Sequence, residues 1–415
     1  MRNVSRETPN YWTGLQILQC SLYELSALLP LPSTHPAAMQ HRVKDYLLSQ
    51  LASLEEQGLL RSPQRPPSSC VIDATSNDYL GLAQDVGLAA DLCLASPLGS
   101  GASRLIYGSH PEHEGLEAEV ASWVALPAGL LFSSGYAANV GTISSLASRG
   151  HLVISDELNH ASIIDGCRLS GARVVVTPHL DLAAVQHALE TARELRRWVV
   201  TESYFSMDGD SPNLTALRDL CDRFQAGLIV DEAHAVGILG PRGAGMCNEA
   251  GIKPEAMIVT LGKALGTAGA VVAGSGLLRT WLWNRARSFV FSTAPSPRLA
   301  AWALQSVRRA QAADQARQWI ARQACELRDK LVAGGLNLAP RSHGPIIPIL
   351  LGQSSRAMLV ADNLQSAGIK ALAIRPPTVP HGTDRLRVTL NAAMSDSDVA
   401  RLGDALIEHC ATATT

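Results

Sequence analysis

Asp231 and His234 stand in LIVDEAHAVG, Leu228–Gly237, where a short apolar run ends on a carboxylate and an imidazole follows. Lys263 stands in VTLGKALGTAG, Val259–Gly269, 32 positions after Asp231 and one apolar run further along. In a parallel sheet, polar groups at the carboxyl ends of strands face the ligand crevice. A lysine held there among small residues on a glycine-rich turn is desolvated. It loses proton affinity and becomes an amine nucleophile, as imine formation with an aldehyde requires. A carboxylate at the neighbouring strand end can hold a proton on a pyridine nitrogen, which makes a pyridoxal ring an electron sink. Each stretch also has an ordinary reading: Asp231 as a helix cap, Lys263 as a surface lysine in a loop. DEAH occurs in nucleotide-driven helicases too, but that reading needs a GxxxxGK[ST] phosphate loop, which the chain lacks.

Three weaker signals accompany these. In LFSSGYAANVG, Leu131–Gly141, an apolar run passes through Ser133, Ser134 and Gly135 into a helix beginning near Tyr136. Free N–H groups and the dipole at such a start suit phosphate, although Ser-Gly before a helix is also plain capping. DELNHAS places His160 just past a strand, where its flat ring could stack on a cofactor or simply cap a loop. TESYFSMDGD puts Ser206 and Asp208 in a loop that Asp208, Gly209 and Asp210 could build as a turn. His110 and His113 lie beside Glu112 and Glu114, but no HExxH or HxxEH metal motif is formed. SHPEHEGLE looks instead like a helix start, with Ser109 or His110 at the cap and Pro111 in the first turn.

Residues 76–295 alternate short apolar runs with amphipathic stretches, the pattern of a mostly parallel sheet covered by helices. The expected strands are Gly129–Phe132, Leu152–Ser155, Arg173–Thr177, Trp198–Thr201, Leu228–Val230, Met257–Leu261 and Ala270–Ala273, with helices at Ala138–Ser148, Leu182–Leu195 and Leu214–Phe224. Residues 296–415 change character: one long helix, Arg298–Ala333, leads into a smaller α+β unit. Its strands are expected near Ile346–Leu351, Ala371–Ile374 and Leu386–Leu390, and its helices near Ser355–Ala367 and Asp396–His409. Residues 1–75 form a third block, with a helical pattern around Arg42–Leu60 followed by the loop RSPQRPPSSC.

Composition sets the frame. The 415 residues are 47% hydrophobic and 17% charged, an ordinary globular balance. A net charge of -2, with no long basic run, asks for neither nucleic acid nor an anionic membrane. Eight scattered cysteines without a CxxC pair fit reduced thiols in the cytoplasm rather than a disulfide framework or a zinc site. No stretch is apolar enough to span a bilayer. Leu15–Pro32, interrupted by Glu24, is read as a docking helix or extension rather than a signal peptide.

Taken together and in order, the motifs resemble those of the α-oxoamine synthases, a fold-type I pyridoxal-phosphate family that condenses an amino acid with an acyl thioester and loses carbon dioxide. The resemblance runs through SNDYLGL, GSGASRLIYGSHPEHEGLE, SGYAAN, DELNHAS, ESYFSMDGD, DEAHAVG, TLGKALG and RPPTVPHGTDRLRVTL, roughly residues 60–395. It implies a large domain with a mostly parallel seven-stranded sheet between helices, a smaller α+β domain, and a homodimer that shares its sites. It further implies that Lys263 forms the imine with pyridoxal phosphate, Asp231 pairs with the ring nitrogen, His234 and Ser206 lie by the phenolic oxygen, and His160 stacks on the ring. Thr260, Gly135 and Tyr136 would hold the phosphate, and FSTAPSP would bring Ser292 and Thr293 to the partner's phosphate. Arg387 would bind the amino-acid carboxylate, with Asn77, Thr378 and Arg61 on the substrate side. RPPTVPHGTDRLRVTL is especially similar to one branch of the family, and that likeness implies L-alanine and a pimeloyl thioester, on coenzyme A or acyl carrier protein, as substrates. Glycine acetyltransferase, 5-aminolevulinate synthase and long-chain acyl types are the alternatives within the family. Ala102 and Tyr107 depart from the residues usual in relatives.

Overall fold

The computed structural model describes residues 37–57, 59–60, 72–85, 87, 96–376 and 378–412. The expected docking segment Leu15–Pro32, the RSPQRPPSSC loop and Arg61 lie outside the described residues. The chain divides into Met1–Arg65 and Pro66–Thr415. The described part of the first unit is one helix, Ala37–Glu56, closed by main-chain bonds from Leu59 and Leu60 to the Leu54 carbonyl.

In the second unit, seven strands form the central sheet: β2 (Ala128–Phe132), β3 (His151–Asp156), β4 (Arg173–Thr177), β5 (Arg196–Glu202), β6 (Gly227–Asp231), β7 (Ala256–Thr260) and β8 (Ala270–Gly274). Their order is β2-β8-β7-β6-β5-β3-β4, and only β8 runs antiparallel to its neighbours. A parallel sheet covered on both faces needs strands that are apolar throughout. The central strands meet this: Leu228, Ile229, Val230, Met257, Ile258 and Val259 are all buried. The edge strand β4 does not, with Val176 exposed. Because β3, β5, β6 and β7 are parallel, Asp156, Glu202, Asp231 and Thr260 all end their strands on one edge of the sheet. The crevice is therefore built from strand ends.

A second, antiparallel sheet has the order β11-β12-β9, from β9 (Ile346–Leu350), β11 (Leu372–Ile374) and β12 (Arg385–Thr389). It shares a core with the helices Ser354–Ser366 and Asp396–Thr412 through Val360, Leu364, Leu386, Val388, Leu402 and Leu406. The short strand β1 (Ile72–Asp73) pairs in parallel with β10 (Ile369–Lys370), so Ile72 and Ala74 join this core.

The long helix expected over Arg298–Ala333 is two helices, Pro297–Gln311 and Asp314–Ala333. The sequence hides the break because Ala312 and Ala313 are good helix formers. Arg317 makes it sustainable: its guanidinium donates to the helix-end carbonyls of Ala310 at 2.5 Å and Gln311 at 3.2 Å. The break lets one chain serve two cores. Ala303, Val307 and Ala310 pack under the large sheet, and Ala324, Leu327 and Leu331 pack in the second core.

His179 ties the strand-end loops together. Its ring reaches Asp156 at 2.9 Å and Asp210 at 3.1 Å, edge-on to Phe205. Burial alone would push its imidazolium down, but the bonds to Asp156 and Asp210 overcome this and carry it up to about 10. A raised folded value stabilises the fold fully below the unfolded imidazole's range, about 6.5, and that contribution is lost as pH climbs through about 10. His179→Gln should therefore lower the Tm most near pH 6, with the gap to wild type closing between about pH 6.5 and 10. A gap independent of pH in differential scanning calorimetry would contradict the charged clamp.

Candidate active site

Lys263 lies on a turn closed by Leu261 N–H to Gly269 O at 2.9 Å, Gly266 N–H to Lys263 O at 2.9 Å and Thr267 N–H to Leu261 O at 2.9 Å. The turn presses against the short helical segment Leu82–Gln84, and a Cβ on Gly266 would fall 2.3 Å from Ala83 N. That contact, at φ +61°, makes glycine necessary there. The half-buried Lys263 points its Nζ at His234 Nε2, 2.6 Å away. His234 Nδ1 meets the buried Tyr79 hydroxyl at 2.7 Å. Tyr79's other acceptor, Asn77 Oδ1, is 3.5 Å away, so the phenol hydrogen is better placed on His234 Nδ1. His234 then carries its own hydrogen on Nε2, and Lys263 accepts it as a neutral amine. The electrostatics agree. Burial pushes Lys263 down and Arg387 adds to that, against opposing pulls from Asp231 and Glu202. His234 is held well below the usual imidazole range by burial, then by Lys263 and Arg387.

Asp231 is buried at the end of β6. Its carboxylate accepts Asn139 Nδ2–H at 2.6 Å and Ala233 N–H at 2.8 Å. Asn139 also donates to Ser162 Oγ at 2.9 Å, and Ser162 Oγ meets His160 Nδ1 at 2.7 Å. His160 caps the helix Ala161–Ser170, its ring nitrogen accepting Ser162 N–H. Burial holds its imidazole below the usual range, with Asp231 pulling the other way. One network thus joins Asp231 to His160, as a second joins Lys263 to Tyr79.

Ser134 caps the helix Gly135–Leu146 by accepting Ala137 N–H at 3.1 Å. A Cβ on Gly135 would fall 2.6 Å from Thr260 Cγ2, so the helix start and the end of β7 meet only because residue 135 has no side chain. Tyr136 donates its hydroxyl to Asp165. Arg387, on β12, reaches across with Nε to Ser206 O at 2.5 Å, Nη1 to Thr389 Oγ1 at 3.0 Å and Nη2 to Asn77 Oδ1 at 2.9 Å. Its strand neighbour Arg385 binds Asp208 at 2.5 Å. Ser206 is thus linked to Arg387 through its carbonyl. Ser292 donates to Ser288 O at 2.7 Å, and Thr293 is exposed. Neither makes a hydrogen bond to the Lys263 or Asp231 networks among the described contacts. Thr378 is exposed, in a turn closed on Arg375 O.

Sequence reading named the principal groups but gave no part to Tyr79, Asn139, Ser162 or Glu202. Tyr79 and Asn139 sit inside the quoted motifs SNDYLGL and SGYAAN, yet nothing local says that they meet His234 and Asp231, which lie 155 and 92 positions away.

The donor set suits pyridoxal phosphate. It offers a neutral amine, a hydrogen-bonded buried carboxylate and a capped helix start whose first residue is a glycine. Among the described residues no group of side chains could hold a metal ion. The family model for class I and II aminotransferases matches residues 70–406. An 8-amino-7-oxononanoate synthase from Anaeromyxobacter dehalogenans is 43% identical over 370 residues, 86% of this chain and 93% of that one. A serine palmitoyltransferase from S. paucimobilis, solved with bound PLP and myriocin, has a TM-score of 0.81 at 25% identity over 89% of this chain and 98% of that one. The 8-amino-7-oxononanoate synthase from Francisella tularensis has a TM-score of 0.70 at 26% identity, over 83% and 99%. The chain belongs to the class I and II aminotransferase family, on the fold-type I pyridoxal-phosphate scaffold. Its branch within that family is the 8-amino-7-oxononanoate synthases.

Proposed function

We infer that the chain condenses L-alanine with a pimeloyl thioester, releasing carbon dioxide, a free thiol and 8-amino-7-oxononanoate, a step of biotin biosynthesis. The observation that carries this is the Lys263–His234–Tyr79 chain, which ends on Arg387 and stands beside Asp231, in a protein 43% identical to such an enzyme. The fold likeness to serine palmitoyltransferase keeps a long-chain acyl substrate as the second reading, but at 25% identity it is the more distant relative.

Bound pyridoxal phosphate supplies an aldehyde for amines and a ring that takes up a carbanion's electrons. Lys263 would hold that aldehyde. Asp231 would keep a proton on the ring nitrogen, and His234 and Ser206 would face the phenolic oxygen. Gly135, Tyr136 and Thr260 would hold the phosphate. Arg387 would orient the alanine carboxylate, with Asn77, Thr378 and Arg61 on the substrate side. Once freed, the neutral Lys263 amine takes the α-proton of alanine, a role its lowered proton affinity suits. His160 polarises the thioester carbonyl. A cytoplasmic homodimer completes the reading, with Ser292 and Thr293 reaching the partner's phosphate. Phe291, directly before them, is 72% exposed, and Leu277 is 81% exposed, apolar surface that a second copy would cover.

Mass spectrometry of the product from alanine and pimeloyl coenzyme A tests the substrate assignment. No product from that pair, with one formed instead when another amino acid or a longer acyl thioester is supplied, would replace it. Asp231→Asn should leave the fold intact and slow solvent exchange of the alanine α-proton by about a hundredfold or more. Unchanged exchange by NMR would remove Asp231 from the role given it.

A further inference from the structure

Glu202 ends β5 directly opposite Asp231 in the register of β5 and β6, and it is 3% exposed. Two carboxyl groups side by side in a buried crevice do not both ionise; their surroundings settle which one does. The surroundings differ. Asp231 accepts two donors, Asn139 Nδ2–H at 2.6 Å and Ala233 N–H at 2.8 Å. Glu202 accepts the His160 main-chain N–H at 2.7 Å. The titratable groups facing Glu202 are Asp231 on β6, Asp156 at the end of β3 and Lys263 after β7. Asp156 is already engaged by His179.

We propose that Glu202 is a positioning residue of this site, a neutral carboxylic acid that anchors the main chain of His160 and leaves the crevice's negative charge to Asp231. The proposal rests on the parts given above to Asp231 and His160. Burial first, and Asp231 second, push the Glu202 carboxyl up, against weaker opposing pulls from Lys263 and from the His160 N–H bond. His160 is then fixed from two sides. Its ring nitrogen is held by Ser162, and its N–H, a free helix-start donor, is held by Glu202. The ring that must lie against the substrate is aimed by both.

Infrared spectra of the cofactor-free protein near neutral pH test the charge state. Wild type minus Glu202→Gln should show the carbonyl band of a protonated buried carboxyl. Loss of an ionised carboxylate band instead would overturn the proposal. Labelling the glutamates of wild type with carbon-13 should shift the same band, which gives the reading without any variant. Turnover tests the anchoring. Glutamine keeps the acceptor and the neutrality, so Glu202→Gln should stay within about threefold of wild-type kcat, whereas Glu202→Ala should lose about tenfold or more in kcat with a smaller change in KM. A glutamine variant as impaired as the alanine variant would also overturn it. The infrared arm needs no cofactor or substrate, so its failure is separate from failure of the pyridoxal-phosphate reading.

Discussion

Lys263→Ala should lose turnover by at least about three orders of magnitude, because in the proposed reaction one amine serves both as the group that holds the cofactor and as the base that takes the α-proton. The fold should persist. Lys263 is half-buried on a turn closed by three main-chain bonds and by Thr267 Oγ1–H to Leu261 O at 3.1 Å, none of which uses its side chain, whose one hydrogen bond among the described contacts goes to His234. Removing an amine whose charged form burial disfavours should cost little in Tm. Steady-state assays with alanine and pimeloyl coenzyme A, run beside calorimetry, check both halves. A folded variant that turns over at the normal rate would remove the lysine from the reaction.

Arg387→Lys should raise the KM for alanine by about tenfold to a hundredfold while cofactor binding is retained, the scale of one to three kcal/mol per lost charge-assisted hydrogen bond. The reason lies in the fork. Three guanidinium nitrogens reach Ser206 O, Thr389 Oγ1 and Asn77 Oδ1 from one plane, 3% exposed. A lysine ammonium is a point charge on a flexible stem. It cannot meet three acceptors, of which Thr389 is fully buried and Asn77 and Ser206 half-buried, and also face a carboxylate in two directions, so partners are left unpaired. Alanine binding measured by the change in cofactor absorbance checks this. Unchanged affinity would move the carboxylate site elsewhere.

The strands were legible because a parallel sheet buried on both faces demands unbroken apolar runs, and Leu228–Val230 and Ala270–Ala273 show them without ambiguity. Asp231 and Lys263 were legible as candidates because each stands at or just after such a run and inside a motif that resembles one family's, DEAHAVG and TLGKALG. The break at Ala312–Ala313 was not, since what stops the helix is Arg317 reaching back to carbonyls, a tertiary event without a local marker. Tyr79, Asn139 and Glu202 stayed hidden for the same reason. A tyrosine before Leu-Gly or a glutamate after a strand becomes part of a site only when folding sets it beside a residue far along the chain, as the 92 positions between Asn139 and Asp231 illustrate.

In the proposed reaction a single amine, kept neutral by burial, bonds the cofactor. The chain has five lysines. Lys44 and Lys253 are exposed, Lys330 pairs with Asp404 at 2.7 Å, and Lys370 pairs with Asp73 at 3.2 Å. Borohydride reduction of the protein loaded with pyridoxal phosphate, followed by peptide mapping, should therefore yield a single modified peptide carrying the mass of the reduced cofactor on Lys263. A cofactor mass on any of the other four, or on none, would contradict the account.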